Sequence, residues 1–347
     1  MQEKLCEIHF ITMVIGHHSK YSGYHRLLDF IPHVPFSGNG ISKFFPDKYK
    51  NRMIEKSLRT HYHYKITEIE REIEILSYTP FHRHIFHFIY GENSFCYAGN
   101  FNRRNKALVA SYHCPESWFK QQGKEKFTEL TKRMPQIDAA IAVSTDLCDF
   151  LQQYAKKVYY VPHGIDIDFF TPDINKIRDP NFCLFVGNWM RDFDTLKKVS
   201  RILAARAPEI RLEVVTPEKN HHHFEGTGIQ LYSGISDEEL REKYRQASVL
   251  IQPLLDCTAN NSALEAMACG LPIIVTDVGG IRDYVTEEYG VLCEPQNAEQ
   301  MADAVIQLLN DPERMKQMGQ AARKRAEDSF AWPVVAANML KIYSELW

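Results

Sequence analysis

Short apolar runs alternate with longer amphipathic segments along most of the chain, and this alternation predicts strands and helices in turn. In the first half, five runs have the length and the β-branched and aromatic content of buried strands. They are 7–15, 84–91, 107–113, 139–144 and 157–164. The second half contains six more runs of the same kind. They are 182–187, 211–216, 229–234, 248–254, 272–277 and 290–294.

Segments with helical periodicity lie between these runs. They include 24–31, 115–134, 194–207, 236–247, 262–270, 298–310 and 313–329. An Asp- and Pro-rich stretch, 166–181, interrupts the alternation and is typical of a linker between domains. Strand–helix alternation on both sides of it favours an α/β protein with two doubly wound parallel sheets.

The predicted organisation is a first domain at 1–165, a second at 166–330, and an amphipathic C-terminal helix at 331–347. In open parallel sheets, ligands bind outside the carboxyl ends of the strands. We therefore expect the ligand in a cleft between the two domains.

Composition supports this organisation. The 347 residues, 44% of them hydrophobic and 24% charged, suit two ordinary domains and exclude a disordered chain. The N-terminus lacks the features of a signal peptide, and no apolar run approaches the roughly 20 residues that span a bilayer. Eight scattered cysteines without a C-x-x-C pair are interpreted as reduced thiols of a cytoplasmic protein.

The net charge of −3 is unevenly shared between the halves. Residues 1–165 contain 22 Lys+Arg and 16 Asp+Glu, a balance of +6, whereas residues 166–347 contain 19 and 28, a balance of −9. The basic half is compatible with an anionic partner, such as a phosphorylated acceptor or a phospholipid surface at the inner membrane face. Ordinary surface variation explains the same numbers.

Several other functional classes lack their patterns. No G-x-G-x-x-G follows a strand, which argues against a nicotinamide enzyme, and the P-loop and G-x-S-x-G motifs are absent. The histidines at 221–223 have no acid or cysteine at ligand spacing, so we expect no metal there. Basic and aromatic residues at 51–65 are followed at once by acids, which favours a solvated helix over a nucleic-acid surface.

One acid, Glu265, stands inside the apolar helical segment that follows a predicted buried strand. Ser262-Ala-Leu-Glu265 matches the S-x-x-E capping box, so Glu265 could serve only to cap its own helix. The polar residues Asn260, Asn261 and Ser262 also fit an anion site at a helix N-terminus. On that hypothesis, Glu265 accepts hydrogen bonds from ribose hydroxyls. The pattern leaves both interpretations open.

The surrounding sequence resembles the family 4 glycosyltransferases, which have the GT-B fold. "LEAMACGLPIIVTDVGGIRDYV" resembles the donor-binding motif, and "LFVGNWMRDFDTL" the phosphate-binding strand and loop. "LYSGISDEELREKYRQASVLIQP" resembles the segment that holds the nucleotide base, and "VPHGIDIDFFTP" the end of the first domain. The resemblance covers 161–347 in the expected order and is weak over 1–160.

The resemblance implies two Rossmann-like domains and a C-terminal helix that crosses back to the first. It also implies a retaining, metal-independent enzyme that moves a sugar from a UDP- or GDP-sugar to a carbohydrate or lipid-linked acceptor. The nucleotide sugar is then a co-substrate, and no cofactor is expected. The alternatives are a non-catalytic nucleotide-sugar-binding subunit and an epimerase or phosphorylase of the same architecture.

The resemblance also assigns residues. Glu265 would hold the ribose, Arg191 would neutralise the departing diphosphate, and His113 would orient the donor sugar. The alternative for Arg191 is a surface loop charge, and the alternative for His113 is a hydrogen-bonded core histidine. Further donor-binding positions are Gly23, Gly187, Asn188, Gly234, Ile235, Asp256, Asn260, Asn261, Ser262 and Ala263. The acceptor side is expected at His17, His18, Tyr21 and Tyr24.

Two positions depart from the family's pattern. An acid that contacts the donor sugar usually stands eight residues before Glu265, but Cys257 occupies that position here. Asp256 or the Asn260–Asn261 pair is expected to make that contact instead. Asn188 stands where an arginine of the phosphate loop is common, which leaves Arg191 as the nearest cation.

Overall fold

The computed structural model describes residues 6–12, 20–36, 40–58, 65–101 and 103–347. The chain forms two compact units. Unit 1 contains most of the chain up to Pro162, together with Val335–Trp347. A short segment that ends at Gly23 is the exception. Unit 2 takes that short segment and His163–Val334.

Unit 1 is built on a parallel sheet whose described strands follow one another in chain order. The strands are β1 (Cys6–Ile11), β2 (Arg83–Phe88), β3 (Lys106–Tyr112), β4 (Ala139–Ala142) and β5 (Val158–Tyr160). The helices are α1 (Asp47–Leu58), α2 (Ile66–Glu74), α3 (Gly91–Ser94), α4 (Glu116–Gln121), α5 (Lys124–Arg133) and α6 (Thr145–Gln152). Every residue of β3 and β4 is buried, which explains their continuous apolar runs.

Two predicted helices of unit 1 take a different form. The segment predicted at 24–31 is a 3₁₀ helix over Tyr24–Asp29. The segment predicted at 115–134 divides into α4 and α5 at Gly123, whose φ of 84° is left-handed. Glycine adopts that conformation without the steric cost that a Cβ brings, so the glycine marks the break.

Unit 2 contains a six-stranded parallel sheet in the order β8-β7-β6-β9-β10-β11, which reverses direction between β6 and β9. This is the doubly wound Rossmann order. The strands are β6 (Phe182–Val186), β7 (Arg211–Val215), β8 (Gln230–Tyr232), β9 (Val249–Gln252), β10 (Ile273–Thr276) and β11 (Gly290–Cys293). The helices are α7 (Phe193–Arg206), α8 (Asp237–Gln246), α9 (Asn261–Ala268), α10 (Ala298–Leu309) and α11 (Pro312–Arg325), with a π-helical turn over Ala326–Phe330. The last helix, α12 (Trp332–Ser344), begins in unit 2, and its residues from Val335 onward belong to unit 1.

The sheet of unit 2 has a hydrophobic core on each face. Alternate residues of a strand point to opposite faces. Accordingly, Leu184 and Val186 of β6 pack in a core with residues of α8 and α9. Cys183 and Phe185 pack in the other core, with residues of α7 and α10. This three-layer arrangement holds the ends of β6 and β9 in fixed positions.

The stretch predicted as a linker packs into unit 2. Phe170 is 1% exposed and lies in the core of that unit, together with Phe169. The Asp166 carboxylate accepts a hydrogen bond from the backbone N–H of Phe169 at 2.9 Å. The first residues of the stretch therefore turn over a buried aromatic pair, whereas Ile174 and Ile177 further along are exposed.

The C-terminal residues pack into unit 1, of which Val335–Trp347 is part. The Tyr343 hydroxyl is hydrogen-bonded to His87 Nδ1 of β2, and the Arg83 guanidinium lies 5.2 Å from the centre of the Trp347 ring. Over the described residues, the helices are too short or too polar to cross a bilayer.

Candidate functional site

Two loops leave the sheet of unit 2 side by side at the point where its strand order reverses. The loop over 187–192 follows β6, and the loop over 253–260 follows β9. The backbone N–H of Asp192 donates to Pro253 O at 3.0 Å, and that of Leu255 donates to Met190 O at 3.0 Å. Ligands of open α/β sheets bind at this reversal. The residues of the two loops are therefore the candidate site.

Helix α9 begins at Asn261, and Asn260 is its N-cap. The Asn260 side-chain oxygen accepts a hydrogen bond from the Ala263 N–H at 3.1 Å. Ser262 lies inside the first turn, and its hydroxyl donates to Val186 O at 3.1 Å. The interpretation of Ser262-Ala-Leu-Glu265 as a capping box is therefore wrong, because a different residue caps the helix.

Arg191 lies across the two loops. Its Nε donates to Val186 O at 3.2 Å, and its Nη1 donates to Trp189 O at 3.0 Å. Its Nη2 donates to Asn260 Oδ1 at 3.3 Å and to Ser262 Oγ at 3.2 Å. All four acceptors are neutral. This is not the surface loop charge considered as the alternative, because the guanidinium is fixed at the start of α9.

The charge of Arg191 is not matched by a bonded carboxylate in the described part of the chain. Burial lowers its pKa to about 10, since desolvation disfavours the charged form. The side chain still carries its proton at neutral pH. A partly buried cation bonded only to neutral groups gains free energy when an anion binds, so the arrangement suits a phosphate.

Gly187 lets the guanidinium lie this close to the end of β6. Its φ of 113° belongs to a region that side chains rarely adopt, and a Cβ at this position would lie 2.6 Å from Arg191 Nη2. Glycine is favoured here by the backbone conformation, and the absence of a Cβ leaves the space that Arg191 occupies.

Two buried amide groups near Arg191 have an atom without a partner among the described residues. Arg191 Nη2 and the Ala263 N–H both donate to Asn260 Oδ1, and this fixes the orientation of the amide group. The Nδ2 atom of the same amide makes no hydrogen bond to a described residue. Gln252 Nε2 donates to Val186 O at 2.9 Å, whereas its Oε1 has no partner. An unsatisfied buried polar atom costs about 1–3 kcal/mol. A polar ligand would remove that cost.

Glu265 is buried in α9, and its Oε2 accepts a hydrogen bond from the Tyr244 hydroxyl at 2.8 Å. Burial raises the pKa of Glu265 to about 8; the Tyr244 hydroxyl and the charge of Arg191 oppose this effect, and Asp237 adds to it. The ionised carboxylate therefore has too few donors in the described structure. Hydroxyl groups of a sugar would supply them.

The expected contact for the nucleotide base lies on a turn after β8. Gly234 has a φ of 64°, and a Cβ there would meet no atom within 4 Å, so the backbone faces open space. Ile235 packs against the core of the unit. Asn188 and Asn261 are partly exposed at the candidate loops.

Cys257 does not present a polar group in place of the missing acid. It is 4% exposed, lies in the hydrophobic core, and its Sγ is 3.6 Å from Val278 O. Asp256 Oδ1 accepts a hydrogen bond from the Cys257 N–H at 2.8 Å. A Cβ on Gly279 would lie 2.2 Å from Cys257 O and 2.5 Å from Asp256 Oδ1, so this turn is closely packed.

In unit 1, His113 follows β3 and lies beside Glu92 of α3. Glu92 Oε1 accepts a hydrogen bond from the His113 N–H at 3.2 Å and lies 3.5 Å from His113 Nδ1. Glu92 is 2% exposed, whereas the His113 side chain is 16% exposed. The Tyr24 ring packs edge-on against His113 at 4.7 Å. The role of His113 at a donor sugar stays a prediction.

The expected acceptor side is only partly described. His17 and His18 lie outside the described residues. Tyr24 is fully buried in unit 1, so it does not line an open surface there. Tyr21 belongs to unit 2, where its ring stacks on Phe169 with centroids 3.5 Å apart. The chain changes unit after Gly23, which has a φ of 101°. The acceptor-side role of Tyr21 stays a prediction.

Three residues important to this geometry were not identified from the sequence: Tyr244, Gln252 and Glu92. Tyr244 stands 21 positions before Glu265 and on another helix, so no local sequence pattern connects the two residues. Gln252 does leave a signal, because it is the one polar residue in the apolar stretch 249–252.

Comparison with known proteins agrees with this arrangement. Residues 166–325 match the family described as glycosyl transferases group 1. This match covers a little under half of the chain and agrees with the resemblance to GT-B glycosyltransferases.

Curated relatives carry related names. The chain is 27% identical over 261 residues to D-inositol 3-phosphate glycosyltransferase of Paenarthrobacter aurescens, covering 69% of this chain and 63% of that protein. It is 28% identical over 239 residues to MMP alpha-(1->4)-mannosyltransferase of Mycolicibacterium hassiacum, covering 63% and 57%. The matches thus span less than two thirds of these relatives.

Solved structures show the fold. Sucrose-phosphate synthase from Thermosynechococcus elongatus superposes with a TM-score of 0.65 at 23% identity, over 81% of this chain and 78% of that one. HepE from Anabaena, in complex with UDP, superposes with a TM-score of 0.66 at 13% identity, over 79% and 82%. The two parallel sheets with their helices are those of the GT-B fold.

Proposed function

We propose that the protein is a retaining glycosyltransferase whose donor is a nucleotide diphosphate sugar, with a UDP- or GDP-sugar as the expected class. The observation that carries the proposal is the cation at the strand reversal of unit 2. Arg191 contacts the capping residue of α9 and the hydroxyl of its first turn, and no bonded carboxylate of the described residues offsets its charge.

The diphosphate would bind beside Arg191 and the N-terminus of α9. Free backbone N–H groups and the positive end of the helix dipole favour an anion at such a terminus. The unpartnered Nδ2 of Asn260 adds a donor at the same place. Negative charge grows on the diphosphate as its bond to the sugar breaks, so these fixed positive groups stabilise the transition state more than the ground state.

The ribose would bind at Glu265 and the base at the turn that contains Gly234. Ribose hydroxyls would donate to the carboxylate, whose one bonded donor among the described residues is Tyr244. The HepE structures support the donor class, because they are described as complexes with UDP and with UDP-glucose. The names of the curated relatives support transfer to an acceptor.

The donor sugar needs a contact that Cys257 does not provide, because its thiol faces the core. We assign that contact to the amide groups of Asn260 and Asn261. The acceptor is proposed to be a carbohydrate or a lipid-linked sugar, as the resemblance implies. Metal-independent chemistry follows from the same proposal, because Arg191 and α9 supply the positive charge.

The test is nucleotide release from a panel of UDP-, GDP- and ADP-sugars, with and without a carbohydrate or lipid-linked acceptor. Release should require both one nucleotide sugar and an acceptor. Arg191→Gln should lower the rate by at least about 100-fold, the loss typical of removing one donor that stabilises developing negative charge.

Arg206→Gln is the matched control, because Arg206 is an exposed arginine of the same unit that pairs with Glu299 and Asp303. It should leave the rate unchanged. Equal turnover by folded Arg191→Gln protein would refute the assignment of Arg191. Nucleotide binding without release on any acceptor would instead favour a binding subunit.

A further inference from the structure

Unit 1 contains a cluster of three side chains with metal-ligating atoms, Glu7 and His9 on β1 and His84 on β2. Glu7 pairs with His84 in the register of the two parallel strands. Side chains two positions apart on a strand share a face, so His9 lies on the same face as Glu7. The pairing of two strands therefore brings the three groups together.

The three ligand atoms are spaced as the corners of one coordination sphere. His9 Nε2 lies 3.2 Å from His84 Nδ1, and Glu7 Oε2 lies 3.2 Å from His84 Nδ1 and 3.6 Å from His9 Nε2. Tetrahedral zinc with ligand bonds of about 2.0–2.2 Å places its ligand atoms roughly 3.3–3.6 Å apart. The observed spacing fits such an ion without rearrangement of the strands.

The hydrogen atoms of the cluster cannot satisfy all three groups when both rings are neutral. His84 Nε2 lies 3.1 Å from Thr79 O, and a carbonyl only accepts, so Nε2 carries the ring proton. His84 Nδ1 then offers a lone pair. This lone pair of His84 Nδ1 faces the Glu7 carboxylate, which is also an acceptor. His9 Nε2 can donate at most one hydrogen, so His84 Nδ1 and the Glu7 carboxylate cannot both be satisfied by it.

A proton on one ring would relieve this conflict, but the surroundings oppose it. His9 and His84 are 0% and 2% exposed, and His9 lies against the rings of Tyr78 and Phe86. Such an apolar surrounding disfavours a charged ring. A cation that accepts a lone pair from each of the three groups would relieve the conflict instead.

We propose that Glu7, His9 and His84 bind one divalent zinc-class ion that ties β1 to β2. Two imidazoles and a carboxylate suit zinc, with water as the fourth ligand. The Thr79 carbonyl that accepts from His84 Nε2 is the usual outer partner of a metal-bound histidine. The Glu7 side chain is 40% exposed, which leaves a path for the ion and for the water.

The site is structural and not part of sugar transfer. Glu7 and His84 are each the second residue of their strand, at the amino ends of β1 and β2. Ligands of open parallel sheets bind at the opposite, carboxyl ends. The ion would stabilise unit 1 by linking two strands that are separated by a long stretch of chain, because it binds the folded form in preference to the unfolded form.

The experiment measures zinc binding to untagged, EDTA-dialysed protein by calorimetry and by metal analysis after gel filtration. The wild type should bind one Zn²⁺ per chain with a rise in Tm, and Co²⁺ should give the visible absorption of a tetrahedral site. Glu7→Gln should weaken zinc binding by at least about tenfold, since even outer-shell changes cost that much. This variant retains the size of the side chain at a half-exposed position, so it should fold.

Histidines 221–223 offer a second place for zinc, so a variant with His221→Ala, His222→Ala and His223→Ala is the control. It should bind zinc at the cluster like the wild type. The proposal is overturned if Glu7→Gln binds zinc as tightly as the wild type. Loss of binding in the triple variant but not in Glu7→Gln would also overturn it, as would the absence of bound zinc in the wild type.

Discussion

Unit 1 and unit 2 each bury a glutamate in a helix, Glu72 in α2 and Glu265 in α9, but the two carboxylates are satisfied differently. Glu72 accepts hydrogen bonds from the backbone N–H groups of Cys96, Tyr97 and Ala98. Within the described part of the chain, Glu265 accepts one hydrogen bond, from the neutral hydroxyl of Tyr244. The first carboxylate has its donors within the fold, and the second still needs them.

Two partly buried arginines of unit 2 differ in the kind of group to which they donate. Arg178 donates to the backbone carbonyls of Tyr244, Ala247 and Cys269. Arg191 donates to two backbone carbonyls and also to the Asn260 and Ser262 side chains at the start of α9. Burial alone thus does not distinguish structural charges from functional ones. The kind of partner separates the two arginines, and the incomplete satisfaction of the Glu265 carboxylate points to a ligand.

The largest expected effect is on stability, and it belongs to Glu72. Glu72→Ala leaves three buried or partly buried backbone N–H groups without this acceptor, and each buried one costs about 1–3 kcal/mol. We expect it to lower the free energy of unfolding by at least about 3 kcal/mol. Glu265→Ala leaves one group, the Tyr244 hydroxyl, without its acceptor, so it should lower the free energy of unfolding by less. Urea denaturation measures both, and a larger loss for Glu265→Ala would break the comparison.

A smaller effect concerns pH. The pKa of Glu265 is raised to about 8, so the carboxyl is mostly protonated in the free protein at pH 6. Ribose hydroxyls that donate to the ionised form must displace that proton. UDP affinity should therefore rise between pH 6 and pH 8, by at most about tenfold per pH unit, and level off above.

Glu265→Gln is the control for this pH dependence, because it removes the titration at this position alone. The UDP phosphate titrates equally in both proteins, so the difference between the two curves isolates Glu265. Calorimetry at several pH values gives both curves. Parallel curves would show that the proton of Glu265 is not coupled to binding.

Much of the fold follows from the sequence, since β-strands buried on both faces must be continuously apolar. Each of the eleven predicted runs overlaps a strand of the structure. The helix break at Gly123 and the packing of Phe169 and Phe170 were not foreseen. A left-handed glycine and a buried aromatic pair depend on tertiary contacts that composition does not record.

The candidate site was predictable where it is local in sequence. The N-terminus of α9 was located correctly, but its cap was not, because Asn260, Asn261 and Ser262 are all good capping residues and the pattern does not choose among them. Tyr244, Glu92 and the zinc cluster depend on groups that meet only after folding. His9 and His84, for example, are 75 positions apart.

The central claim is that unit 2 binds a nucleotide diphosphate through its ribose at Glu265. The direct test is calorimetry of UDP and of 2′,3′-dideoxy-UDP, each with the wild type and with Glu265→Ala. If the base is guanine, the GDP pair replaces them. The wild type should prefer the hydroxylated ligand by about tenfold or more, as loss of hydrogen bonds to a charged group implies, and Glu265→Ala should bind both equally. An undiminished preference in folded Glu265→Ala protein would contradict the account.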